Sequence, residues 1–87
     1  MSVHIVKKWA ERFQVKPMKT LNRKRTSYGW KHLVEDWAGE YVSNETFIEA
    51  MHQLGFKSKP TADTPNFYFN ISEAAVHKTL AAMEKEL

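Results

Sequence analysis

The sequence contains no cysteine and only three glycines. Without cysteine, neither a disulfide framework nor a thiolate metal site can form. With so few glycines there is no phosphate-binding glycine loop, and the motifs of a nucleophile elbow or a metal-hydrolase helix are missing as well. We therefore expect a protein that is not an enzyme and that uses no cofactor.

Long apolar runs are also missing from the sequence. The N-terminal stretch MSVHIVKKWAERF lacks the unbroken apolar segment of a signal peptide, and no segment reaches the length of a membrane-spanning helix. We expect a soluble cytoplasmic protein with no membrane partner. Its 87 residues, 43% of them apolar, are enough for one modest core, which predicts a single domain over residues 1–87.

Acidic residues are scarce in the first part of the chain. Residues 1–31 hold nine lysines and arginines against one acid, Glu11, whereas residues 32–87 hold four basic and nine acidic residues. Such polarity indicates a basic face for an anionic partner and a separate acidic face. The alternative is that the two halves neutralise each other in the folded chain.

Four segments have the apolar spacing of amphipathic helices, at 3–14, 27–38, 44–54 and 73–86. Gly39 is placed to end the second of them. For the third helix, the residues expected on the buried face are Phe47, Ile48, Met51 and Leu54. For the last helix, the expected apolar face comprises Val76, Leu80, Met83 and Leu87.

Two further segments have no helical spacing. Residues 15–26, VKPMKTLNRKRT, are polar and basic, and they predict an extended arm or loop, which we call the basic arm. Residues 56–71 predict a β-hairpin, because a loop rich in turn residues, PTADTP, precedes the alternating strand NFYFNI. The predicted fold class is thus α+β and mostly helical.

The central residues resemble a winged helix-turn-helix. The resemblance rests on the tryptophan-bearing helix 30–37, the stretch VSNETFIEAMHQLGFK and the strand NFYFNI, which together cover about half of the chain. It is similar to the domain at the C-terminal end of some phage and plasmid primases, and to small phage and plasmid proteins. The resemblance implies two helices joined by a turn, a hairpin wing and a last helix, and it implies a DNA-binding regulator or accessory protein.

The basic arm is the main candidate for contact with nucleic acid. Lysines and arginines on an arm can follow phosphates or enter a minor groove, and lysines at the start of the wing add a second point of contact. A neighbouring tyrosine could stack on a base. The candidate residues are Lys16, Lys19, Arg23, Lys24, Arg25, Tyr28, Lys31, Lys57 and Lys59. Tyr68, on the outer side of the hairpin, is a second candidate for stacking. The alternative is a solvated loop whose charge maintains solubility.

The expected outer surface of the third helix argues against recognition of base edges in the major groove of DNA. Its outward residues are expected to be Glu45, Thr46, Glu49, Ala50, His52 and Gln53. Carboxylates would face the phosphate charge, and base edges are read mostly by Arg, Lys, Asn and Gln. The alternative function is therefore a protein-interaction module, such as a phage-type inhibitor of a host protein. In that case Glu45, Glu49, His52 and Gln53 would form the binding surface.

Two other possibilities concern metals and self-association. His32 with Asp36, and Glu49 with His52, have spacings that could face a cation, but no third ligand accompanies either pair, so we expect no metal site. The apolar stripe of the last helix is expected to pack within the chain. The alternative is a homodimer formed through this C-terminal helix.

Overall fold

The computed structural model describes residues 2–85, and its elements confirm the α+β class. Within these residues, four helices and three strands follow one another. They are α1 (Ser2–Arg12), β1 (Pro17–Asn22), α2 (Ser27–Ala38), α3 (Asn44–Gln53), β2 (Ser58–Pro60), β3 (Phe67–Ile71) and α4 (Ala74–Lys85). The strands form one antiparallel sheet in the order β1-β3-β2.

The core joins the helices to the inner side of this sheet through aromatic rings. Trp9 of α1 is fully buried and lies 6.2 Å, between ring centroids, from both Trp30 and Phe47. Phe47 in turn meets Phe69 of β3 edge-on at 5.8 Å. The Trp9 indole donates a hydrogen bond of 3.0 Å to the buried Thr79 hydroxyl, which connects α1 to α4. The tryptophan and phenylalanine spacings in the sequence therefore identify much of this core.

Strand β1 corrects the expectation of a basic arm. Residues 15–26 do not form an arm or loop throughout, because Pro17–Asn22 pairs with β3. β3 has two edges, and the short β2 covers one of them, so the other edge provides unpaired backbone groups for a second partner. Pro17 is tolerated because it is the first residue of an edge strand. A register shift between Pro17 and Asn22 interrupts the regular ladder.

Asn70 connects the two flanking segments of the sheet. It belongs to the central strand, and its side chain is almost fully buried. Its Oδ1 accepts a hydrogen bond of 2.9 Å from the Lys57 amide, and its Nδ2 donates one of 2.8 Å to the Met18 carbonyl. Both halves of this polar side chain are thus satisfied, which offsets the cost of burying it.

Helix α3 packs differently from expectation. Phe47, Ala50 and Met51 are fully buried, whereas Ile48 is only half-buried and Leu54 is exposed. Ala50 was expected to point outward, but it lies one turn after Phe47 on the same side, and α1 packs against α3. Leu54 follows the last helical residue, at the C-cap, so its side chain leaves the buried face.

The N-cap of α3 gives a testable contribution to stability. Ser43 Oγ accepts a hydrogen bond of 3.1 Å from the Thr46 amide. We expect Ser43→Ala to lower the free energy of unfolding by about 1 kcal/mol, because a first-turn amide loses its partner. The measurement is urea denaturation. Thr26→Ala is the matched control, since the Thr26 side chain makes no capping hydrogen bond to α2. Equal losses in the two variants would contradict the role of the cap.

Helix α4 packs within the chain through Ala75, Val76 and Thr79, while Leu80 remains exposed. The expected apolar face of this helix was thus partly wrong. The buried face of α4, which packs against α2, includes Ala75 and Thr79 in place of Leu80. Leu87, also expected on this face, lies outside the described residues. The homodimer alternative for α4 therefore retains a smaller apolar surface, centred on Leu80.

Candidate nucleic-acid interface

The outer face of the sheet gathers basic residues around one tyrosine. Directly opposite residues in an antiparallel pair point to the same side. Lys59 lies opposite Tyr68, and Lys57 lies beside Asn70, whose amide donates to the Lys57 carbonyl at 3.3 Å. Both lysines are exposed, and Tyr68 is half-buried. None of the three strands contains an aspartate or a glutamate.

Arg23 completes this surface from the end of β1. Its guanidinium carbon lies 5.3 Å from the centroid of the Tyr68 ring, which is within the range of a cation–π contact. The turn that carries it is fixed by Asn22, whose Oδ1 accepts from the Lys24 amide at 3.0 Å. We call the surface formed by Arg23, Lys57, Lys59 and Tyr68 the basic sheet face.

Three other candidate lysines are exposed. Lys19 lies in β1, within the part where the register shifts, and Lys24 lies in the turn after β1. Both are within a few residues of Arg23 and extend the positive charge along this edge of the sheet. Lys16 instead borders a cavity of about 140 Å³ beside Phe13 and Lys78.

Arg25 is engaged inside the molecule. Its Nε and Nη2 lie 2.9–3.1 Å from the two carboxylate oxygens of Glu73, and Asn22 Nδ2 donates to the same carboxylate at 2.7 Å. The Arg25 hydrogen bonds hold the pKa of Glu73 below its ordinary value, with help from Asn22 and against the effect of burial. This network connects the segment before α2 to the start of α4, so we assign Arg25 a structural role.

Lys31 is also engaged, although the sequence placed it with the arm. It is buried, and its Nζ lies 2.8 Å from Glu35 Oε1. Burial would raise the pKa of Glu35, but hydrogen bonds from Lys31 and from the Val42 amide lower it overall. The Lys31 ammonium also lies 5.3 Å from the Tyr28 ring centroid. This ion pair supports the α2–α3 turn, and Lys31 is not available to a phosphate.

Tyr28 and His32 lie together on the surface of α2. Tyr28 is exposed and meets the His32 ring edge-on at 4.4 Å between centroids. His32 Nδ1 lies 3.1 Å from Glu35 Oε2. Within residues 2–85, no group of three or more potential ligands is arranged to hold a metal ion. Over the same residues, no helix has the length and apolar character needed to cross a bilayer.

The outer surface of α3 is acidic, as expected. Glu45, Glu49, His52 and Gln53 are all exposed. Gln53 Nε2 donates to Glu49 at 2.8 Å, and His52 Nε2 lies 2.6 Å from the Ser58 hydroxyl at the start of β2. The tip of the hairpin adds a further carboxylate, Asp63, and no cation. This surface is therefore a poor match for a phosphate backbone.

A second basic surface was not identified from the sequence. Arg12, Lys78 and Lys85 line a groove of about 370 Å³ between the end of α1 and α4, with Phe13 and Ala82 among its apolar residues. Lys78 Nζ lies 3.4 Å from the Phe13 carbonyl. Lys78 and Lys85 both lie on α4, whereas Arg12 is distant along the chain, so only the packing of α1 and α4 brings Arg12 to the two lysines.

The Arg25–Glu73 pair predicts a specific pH dependence. A carboxylate whose pKa is lowered on folding stabilises the protein above its ordinary pKa, and this contribution is lost as the pH falls through the lowered value. We expect Glu73→Gln to cost about 1 kcal/mol at neutral pH, since solvent screens the partly exposed Arg25. The difference from the unmodified protein should shrink once the pH falls below the ordinary pKa of 4.5, and it should vanish below the lowered pKa of the folded state.

Urea denaturation at several pH values measures this difference. Glu40→Gln, at an exposed carboxylate after α2, is the control and should change the free energy of unfolding by less than about 0.5 kcal/mol. A cost for Glu73→Gln that persists unchanged in acid would show that the charge of Glu73 is not its source.

Comparison with known proteins finds no match, since no family model fits the chain and neither a curated protein nor a solved structure is significantly similar to it.

Proposed function

We propose that this protein is a non-enzymatic nucleic-acid-binding protein that uses the basic sheet face. The observation that carries the proposal is the cluster of Arg23, Lys57 and Lys59 around Tyr68, within or next to strands that contain no carboxylate. Cations on one surface attract a phosphate backbone and release its counterions. Lys19 and Lys24, which are exposed and lie within a few residues of Arg23, add positive charge nearby.

The arrangement of α2, α3 and the β2–β3 hairpin supports a winged helix-turn-helix. In this proposal the fold is that of a winged helix, but α3, the helix expected to enter the major groove, stays outside it. Glu45 and Glu49 on α3, and Asp63 at the tip of the hairpin, would repel the phosphates on either side of a groove. The affinity therefore comes from the sheet, and it is largely independent of base sequence.

The test is fluorescence anisotropy of labelled single-stranded and duplex DNA, titrated with the protein over a range of salt concentrations. About four phosphate contacts predict a log–log salt slope of about −3, at 0.7–0.9 per contact. The four cations assumed here are Arg23, Lys24, Lys57 and Lys59. Absence of binding at low salt would overturn the proposal. The exposed acidic surface of α3 would then become the candidate for a basic protein partner.

A further inference from the structure

We infer that the basic sheet face binds single-stranded nucleic acid in preference to duplex, with a base stacked on Tyr68. This inference rests on the proposed function and specifies its ligand. Aromatic side chains on an open surface stack on unpaired bases, and flanking cations follow the backbone. The basic sheet face combines both elements in one place, because Lys59 is the direct cross-strand neighbour of Tyr68.

The position of Arg23 fits a stacking role for Tyr68. Its guanidinium lies 5.3 Å from the ring centroid and is exposed to solvent. A cation–π contact at an exposed site is weak, so a base can replace the guanidinium on the ring. Arg23 then moves to a neighbouring phosphate. Arg23 and Lys59 approach the ring from opposite strands, which places a cation on each side of the stacked base.

The ring is also held in place. Tyr68 is half-buried in the central strand, between β1 and β2. The next residue on the same face of that strand is Asn70, whose side chain forms hydrogen bonds to both flanking segments. A rigid aromatic ring loses little conformational freedom when a base binds to it.

A duplex cannot use this ring in the same way. Its bases are stacked on one another, so their faces are not accessible. Tyr68 lies in the central strand of a three-stranded sheet, whereas the elements that enter a major groove are a helix or a two-stranded ribbon. The lysines would still contact the phosphates of a duplex. We therefore expect duplex binding that is weaker and independent of Tyr68.

The experiment compares three ligands of about 12 nucleotides per strand, a usual size for such sites. They are a thymidine strand, an abasic strand with the same phosphates, and a duplex, each measured by anisotropy at the same salt concentration. The unmodified protein should bind the thymidine strand on the order of tenfold more tightly than the abasic strand, because only the former can stack. It should also bind the thymidine strand more tightly than the duplex.

Two variants assign the effect to the ring. Tyr68→Leu should lose on the order of tenfold in affinity for the thymidine strand and little for the abasic strand. Tyr68→Phe retains the ring and should bind both strands nearly as the unmodified protein does. Circular dichroism verifies that both variants are folded. The ratio of the affinities of the unmodified protein for the thymidine and abasic strands provides a test that needs no variant.

The outcomes separate this inference from the proposed function. Equal binding of the thymidine and abasic strands, tighter binding of the duplex, or a Tyr68→Leu loss that is the same for all ligands would overturn the inference alone. Absence of binding to any of the three ligands would overturn the proposed function and this inference together.

Discussion

Exchanging both Lys57 and Lys59 for glutamate is expected to reduce the affinity for nucleic acid by about ten- to a hundredfold at low salt. The two lysines lie on the outer face of the sheet, opposite Asn70 and Tyr68, and are exposed. Each exchange removes a phosphate contact and adds a repulsive charge. The slope of the logarithm of affinity against the logarithm of salt concentration should become less steep by about two, because two contacts are lost. Anisotropy titrations over a range of salt concentrations measure both quantities.

The control for this double variant removes the same charge elsewhere. Lys8→Glu with Lys85→Glu also lowers the net charge from +3 to −1, since each exchange changes it by −2. Both residues are exposed, Lys8 on α1 and Lys85 at the end of α4, in the groove with Arg12. The control variant should bind within a few-fold of the unmodified protein. An equal loss in both variants would show that net charge, and not the basic sheet face, determines binding.

Truncating Phe47 to alanine is expected to lower the free energy of unfolding by about 3–5 kcal/mol. The ring is fully buried and contacts Trp9 on one side and Phe69 on the other, so its removal leaves a cavity between α1 and the sheet. A chain of this size has a total stability of roughly 4–13 kcal/mol. The variant should therefore be close to unfolding at room temperature, as measured by urea denaturation.

Leu80→Ala is the matched control for the truncation of Phe47. Leu80 is 46% exposed on α4, so its removal should cost less than about 1 kcal/mol. A loss below 1 kcal/mol for Phe47→Ala would contradict the packing of α3 between α1 and β3.

The helices could be predicted from the sequence because their signals are local. The sequence predicts a helix over 27–38, and the structure has α2 at Ser27–Ala38, followed by Gly39 with a positive φ of 70°. The i, i+4 spacing of the apolar residues and a glycine after the last turn depend only on neighbours along the chain. The N-cap of α3 is equally local, since Ser43 bonds Thr46.

Strand β1 could not be predicted because its stability comes from a distant partner. Pro17–Asn22 has few apolar residues, and only the free edge of β3, about fifty residues later, provides its hydrogen bonds. The side chains of Asn22 and Asn70 reinforce the pairing through bonds to Ile71 and Met18. No spacing within residues 15–26 reveals these contacts.

The candidate site shows the same division between local and distant information. Exposed Lys57 and Lys59 agree with the alternating pattern of a strand start, and Tyr68 lies on the outer side of β3 as its alternation predicts. The basic cluster in the sequence does not reveal that Arg25 pairs with Glu73, 48 residues away, or that Lys31 is buried against Glu35. The cations of one segment that have a structural role can therefore be distinguished from those left on the surface only when their partners are known.

The most direct test of the central claim is NMR mapping of the backbone amides during titration with a short thymidine strand. We expect the largest chemical-shift changes at Arg23, Lys57, Lys59 and Tyr68, with little change at Glu45 and Glu49 on α3. This result would place nucleic acid on the basic sheet face. Changes concentrated on α3, with the strands unaffected, would contradict the account.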